Sequence, residues 1–405
     1  MNRQVSIVIV LSIAVIAAIV AAAGAVLFSR GAGEGDTLPN NRVAGDAAAQ
    51  TTARAPWPIF RGNSAFQGIA SGELPDELQL AWTFSTGGPV KSSAVVGDGV
   101  VYFGSDDYHV YAVDLASGTE RWKFKTEGPV EAAPLLVGDT LYIGSSDGIL
   151  YALDAATGAK RWTFETGDKI IGSANAHRAG GDAGNGPLRI IFGSYDFVLY
   201  CVDAATGEEV WQYETGDYIN GAPAIERGRV VFGGCDMRLH IVSADTGEKL
   251  GEMDLGAQIA ATVALDGDHA FIGHYGNAFE CIDLNTQTNV WTTRDRQFPI
   301  FSSAAVLEDV VIFGTRGKRV ICADRATGEH RWEFRTRGKV DSSPVVCGDK
   351  VVVGAEDGRL YLLDRATGQE RWMYDVGKAI TASPAVADGC IIIGSEDGNV
   401  YAFRG

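Results

Sequence analysis

The chain repeats itself about every 40 residues and its last copy is cut short, so whatever it folds into must pack copy against copy. The glycine that ends one strand of each copy falls at Gly104, Gly144, Gly193, Gly233, Gly273, Gly314, Gly354 and Gly394, which makes eight copies. A second beat, an aromatic on the closing strand, runs Trp82, Trp122, Trp162, Trp211, then Leu250 in place of Trp, then Trp291, Trp332 and Trp372. After Gly394 the chain reads S-E-D-G-N-V-Y-A-F-R-G and has no Trp strand left, while Trp82 stands spare ahead of the first complete copy. Short strands at this period point to a propeller, and a spare N-terminal strand that completes the last copy points to a closed ring.

Each copy reads as four strands. The first is of the Ser342-Ser343-Pro344-Val345-Val346 type, with Pro at a strand start or edge. The second ends on the beat glycine, as in Val101–Gly104. The third, such as Leu150–Asp154, is entered through Asp147-Gly148, a strong hairpin signal between alternating apolar runs. The fourth carries the Trp and follows Ala156-Thr157-Gly158, a turn in which Gly supplies a positive φ. The expected fold is therefore all-β: an eight-bladed β-propeller of four-stranded antiparallel blades. It is closed by pairing Val400–Phe403 with Leu80–Phe84. The 51 Gly and only 4 Met suit such a chain.

Ahead of the ring, Val5–Phe28 carries no charge and is long enough to cross a bilayer as a helix, bracketed by Arg3 and Arg30. The expectation is one N-terminal transmembrane helix that anchors an extracytoplasmic, periplasmic propeller to a bacterial inner membrane; the alternative is a secreted protein whose signal is cleaved near Ala21–Ala25. The organisation then reads as anchor or signal over 1–30, a flexible Gly/Ala-rich tether over 31–55, a lead-in segment over 56–77 and the propeller over 78–405. A net charge of −17 repels phosphate backbones, and with no basic patch apparent in the sequence a nucleic-acid partner is not expected.

Six cysteines, Cys201, Cys235, Cys281, Cys322, Cys347 and Cys390, allow disulfides in an exported protein. Their slots argue for buried free thiols instead, because Cys201, Cys281 and Cys322 stand where Ala152 stands in its own copy. No Cys-x-x-Cys or Cys/His spacing marks a metal site.

The blade consensus, with L-Y-A-L-D-A-A-T-G-A-K-R-W-T-F over 150–164 and G-S-E-D-G-N-V-Y-A-F over 394–403, resembles the pyrroloquinoline-quinone-type (PQQ-like) propeller repeat, and Trp57-Pro58-x-Phe60-Arg61-Gly62 resembles the segment that leads into such propellers. The resemblance implies one of two branches. The dehydrogenase branch holds the quinone with an adjacent Cys-Cys pair, a calcium ion and an Asp base. The smaller non-catalytic branch is typified by the outer-membrane assembly factor BamB. This chain has no adjacent cysteines, and its one clear insertion is Arg178–Pro187. The expectation is a non-enzymatic scaffold, monomeric, without PQQ or calcium, that presents a face to protein partners. The alternative is a quinone- or small-molecule-binding propeller, a PQQ-dependent oxidoreductase among them.

The binding face follows from propeller geometry. The residue just ahead of each S-S-P strand should line the channel mouth, and this slot reads Lys91, Glu131, Ile171, Asn220, Ala260, Phe301, Asp341 and Thr381, no two alike. Lys91, Glu131 and Asp341 read either as part of a binding surface or as one self-satisfied charge cluster. Hairpins on the same face depart from plain Asp-Gly at Asp106–His109, Tyr195–Phe197 and His274–Asn277, which makes Tyr108, Tyr195 and Tyr275 candidate anchors or packing residues. No catalytic constellation is apparent.

Overall fold

The computed structural model describes residues 56–180, 185–295 and 297–405; the apolar run, the tether and the tip of the 178–187 insertion lie outside them. Eight antiparallel sheets follow one another along the chain. Blade 1 comprises Val95–Gly97, Val100–Ser105, His109–Asp114 and Glu120–Lys125, and the same four-strand unit recurs through blade 7, which ends at Asp375. Blade 8 takes Ala385–Ala387, Cys390–Gly394 and Asn399–Arg404 from the C-terminus and Gln79–Ser85 from the N-terminal side. Leu80 pairs with Phe403, Trp82 with Ala402 and Phe84 with Val400, so the ring closes as the spare strand predicts.

Burial explains the sequence pattern. The second strand Val100–Ser105 is buried at every position, because both its faces pack against neighbouring blades. Only the outermost strand, such as Glu120–Lys125, keeps alternating exposed positions. The first strand is shorter than expected: it begins after the S-S-P residues, at Val345 in blade 7. The serines serve the ring instead. Ser303 and Ser343 donate their backbone N–H to the Oγ of Ser343 and Ser383, each at 3.0 Å, and Ser383 N–H reaches Ser93 Oγ at 2.8 Å across the seam.

Both glycine beats are contacts between blades. A Cβ on Gly104 would lie 2.3 Å from Val130 of the next blade, and Gly394 stands in the same relation to Val90 at 2.6 Å, so each beat glycine seats the next blade's first apolar residue. The turn glycine lies under the preceding blade's Trp: a Cβ on Gly158 would meet Trp122 at 2.7 Å, while Trp122 Nε1 donates to Ala155 O at 2.9 Å. A one-residue bulge in the closing strand sets the Trp opposite an Ala or Cys of the third strand in six blades, and opposite Leu362 in blade 7. Cys201, Cys281 and Cys322 are those residues opposite Trp211, Trp291 and Trp332, and all six cysteines are free.

The fourth blade corrects the sequence reading. Leu250 does not occupy the Trp slot. Register pairs Ile241 with Gly251, as Cys201 pairs with Trp211, and Leu250 is the bulge residue, 51% exposed. The missing ring is compensated in the next blade, where the turn glycine becomes Gln287. Its side chain lies 2.3 Å from where a Cβ on Gly251 would stand. Gly251→Trp alone should therefore overpack and lower stability by about 1–3 kcal/mol, while Gly251→Trp with Gln287→Gly restores the pattern of the other blades. Urea denaturation of both variants tests this; additive losses would refute the exchange.

The lead-in segment runs round the inside of the ring and touches blades 1 to 7 in succession. Trp57 bridges Val96 in blade 1, and Pro58 O accepts from Leu136 N–H in blade 2. Ser64 O accepts from Asn175 Nδ2 in blade 3 and Ile225 N–H in blade 4, Ala65 O from Leu265 in blade 5, Gln67 O from Val306 in blade 6 and Gly68 O from Val346 in blade 7. Ile69–Ala70 then runs parallel to Val346–Cys347. At the centre Arg61, 1% exposed, donates to Pro344 O at 2.6 Å and Ala304 O at 2.5 Å.

Candidate binding site at the channel mouth

Because every first strand starts at the same depth, the eight slot residues converge. Lys91, Glu131, Ile171, Asn220, Ala260, Phe301, Asp341 and Thr381 all line one cavity of about 190 Å³, with Phe60 of the lead-in segment also in its wall. The expected charge cluster is split in two. Lys91 Nζ lies 3.2 Å from Glu131 Oε1 and 2.8 Å from Asp106 Oδ2. Burial works against the ammonium, but hydrogen bonds and charge from Asp106 and Glu131 outweigh it and raise its pKa. Asp341 instead receives a forked contact from Arg316, Nη2 at 2.6 Å and Nε at 3.0 Å. That guanidinium also lies 3.8 Å above the Phe301 ring, and Tyr275 packs on Phe301 at 4.5 Å between centroids. Asn220 Nδ2 reaches Cys235 Sγ at 2.8 Å, and Thr381 Oγ1 reaches Glu396 at 3.2 Å.

Tyr108, Tyr195 and Tyr275 stand around the cavity rather than in its lining. In six hairpins an Asp organises the turn: Asp147 accepts from Ile149 N–H, from Glu127 N–H of the incoming loop and from the Tyr151 hydroxyl. The Asp106–His109 and Tyr195–Phe197 hairpins keep this Asp, as Asp107 and Asp196, and change only the glycine after it. Tyr108 and Phe197 there adopt φ of 69° and 76°. The Asp itself is lost in two hairpins, replaced by Gly276 and Gly317. Sequence reading singled out the first and passed over Thr315–Lys318, and with it Arg316. Gly in the Asp slot was the available signal. In blade 6 the carboxylate comes from the incoming loop: Asp295 fills the space beside Gly317 and pairs with Arg319.

Two further features lie on this face. Tyr195 stacks on Tyr218 at 4.8 Å, with Lys169 Nζ 4.4 Å above its ring, and Phe197 meets Tyr218 edge-on at 5.1 Å. Phe197 and Tyr218, with Met237 and Tyr275, form an exposed apolar arc over blades 3 to 5, and Tyr195 lies half-buried beneath it. Burial pushes the Tyr195 phenol up to about 12, so it stays neutral. Beside the arc, Lys318, Arg319 and Arg335 meet in one pocket on blade 6. Among the described residues, no group of three or more His, Cys, Asp or Glu is placed to hold a metal ion.

The sequence model of the family described as outer membrane protein assembly factor BamB matches residues 75–182 and 299–405, more than half of the chain. The chain belongs to the BamB family. Among solved structures, BamB from Moraxella catarrhalis is 23% identical with a TM-score of 0.67, covering 81% of this chain and 98% of its own. The quinohemoprotein alcohol dehydrogenase from Comamonas testosteroni matches at 16% identity and a TM-score of 0.74, covering 89% and 82%. A europium-containing methanol dehydrogenase matches at 14% and 0.72, covering 87% and 98%. At these identities the likenesses show the fold shared by BamB and the dehydrogenases. A comparison with curated proteins gives no match.

Proposed function

We propose that this protein is a non-enzymatic scaffold that binds protein partners through the mouth face of its propeller. In this reading it serves outer-membrane assembly, as its family's description names, from outside the cytoplasm and tethered by its apolar N-terminal run. The observation that carries the reading is the exposed arc of Phe197, Tyr218, Met237 and Tyr275. Large rigid apolar side chains on loops of a rigid ring are the residues from which interface hot spots are made. The mouth itself supports the absence of a cofactor. Both slot carboxylates, Glu131 and Asp341, are engaged by Lys91 and Arg316, which suits neither a calcium ligand nor a free Asp base. No adjacent thiols line the cavity to clasp a quinone.

Photo-cross-linking residues placed at Phe197 and Tyr218 should trap the same protein partner in cells, and Thr157, in a turn at the opposite ends of the strands, should trap none. Phe197→Ala with Tyr218→Ala should lower capture about tenfold. Saturable binding of pyrroloquinoline quinone with calcium, accompanied by dye reduction with an alcohol, would overturn the reading.

A further inference from the structure

A second pocket of about 260 Å³ opens on blade 6, between the hairpin after Val310–Thr315 and the loop arriving from blade 5. Its walls are Asp295, Phe298, Lys318, Arg319, Arg335 and Thr336. Arg319 is neutralised, since it holds the buried Asp295 and reaches Glu333 at 2.9 Å. The other two cations are not: the side chains of Lys318 and Arg335 have no ion-pair or hydrogen-bond partner among the described residues.

A second observation sets this blade apart. Arg319 and Arg335 face each other across adjacent strands. At the same register blade 4 pairs Arg238 with Asp254, and blade 7 pairs Arg359 with Asp375. Opposite charges at this position stabilise a sheet and like charges oppose it. Blade 6 therefore sets two cations side by side where blades 4 and 7 pair a cation with an acid; Asp295 and Glu333 offset Arg319, and Arg335 is left over in a chain whose net charge is −17.

We propose that this pocket receives an acidic segment of a protein partner, with Asp or Glu carboxylates at Lys318 and Arg335 and an apolar side chain against Phe298, which is 48% exposed. The inference rests on the scaffold reading above and names the chemistry of the partner. A phosphate ion or a lipid headgroup would satisfy the cations but leave Phe298 in water. A peptide satisfies both, and the loop that carries Phe298 also carries Phe301, on which Tyr275 of the arc packs.

The test is fluorescence anisotropy on the full-length chain in detergent, with a labelled glutamate-rich peptide carrying one leucine. Lys318→Glu with Arg335→Glu should weaken binding tenfold or more, on the order expected for loss of paired charges, and Phe298→Ala should weaken it several-fold. The double variant should fold as well as the native chain, since an acid opposite Arg319 is the arrangement that blades 4 and 7 already carry at this register. Undiminished peptide binding by the double variant would overturn the proposal. So would displacement by inorganic phosphate or glycerophosphoglycerol at concentrations comparable to unlabelled peptide, which would identify a simple anion site. Cross-linking from Phe197 and Tyr218, read in parallel, separates the two ideas: if it persists while the peptide ignores the pocket, the acidic-segment proposal falls and the scaffold stands.

Discussion

A chain lacking residues 79–85 is expected to lose its cooperative thermal transition altogether. Those residues supply the outermost strand of blade 8, and among the described residues no other strand pairs with the outer edge of Asn399–Arg404. Trp82 is 8% exposed, donates from Nε1 to Leu115 O at 2.9 Å and lies against Gly118, while Phe84 packs on Phe103 and Tyr111. Truncating one buried aromatic costs about 3–5 kcal/mol, so losing Trp82 together with the half-buried Phe84 and a whole ladder of backbone bonds reaches into the roughly 5–15 kcal/mol that holds a whole domain. The deletion also bares a long strand edge and invites aggregation. Appending residues 78–86 after Gly405 should restore the transition, because the strand it must meet ends there. Circular dichroism melting reads all three chains; a cooperative melt of the deletion variant close to that of the native chain would refute closure by this strand.

The second large effect is expected at Arg61. Burial pushes its pKa down to about 9, which leaves the guanidinium charged at neutral pH, and its two forked bonds tie blade 6 to blade 7 from inside the channel. Arg61→Met preserves bulk but strands the carbonyls of Ala304 and Pro344 without donors. The expected loss is about 3–5 kcal/mol, the range for breaking a buried charged network. Arg61→Lys should rescue little, because a single ammonium cannot serve two carbonyls with a planar fork's geometry. Urea denaturation measures both; a midpoint unchanged in Arg61→Met would show that the lead-in segment is held without it.

The blades, the closing register and the eight mouth residues were legible because each is fixed by a period, and the period survives substitution. What failed were positions at which two changes compensate. Leu250 looks like the natural replacement for a Trp, yet the bulge shifts the count by one. The cavity above Gly251 is filled by Gln287 of the next blade, and hydropathy alone does not connect the two. The lead-in motif was legible as a motif but not as a tie between successive blades, since its partners from Val96 to Val346 share no local pattern with it. Lys318, Arg319 and Arg335 come from two separated stretches of an acidic chain, and only the fold brings them to one pocket. Arg316 was within reach: aligning the hairpins on their Asp would have exposed Gly317.

The path of the lead-in segment also has a bearing on time. Arg61 bonds to a carbonyl 283 residues further along, so a segment made before any blade cannot seat until the seventh exists. Folding that waits on so distant a contact is slow compared with the hairpins that form each blade. Throughout that interval Ile59 and Phe66, buried in the finished ring, lack part of their cover. The newly made chain thus carries an adhesive end for as long as the ring is incomplete, and its yield should depend on how well that end is shielded until the last blades arrive.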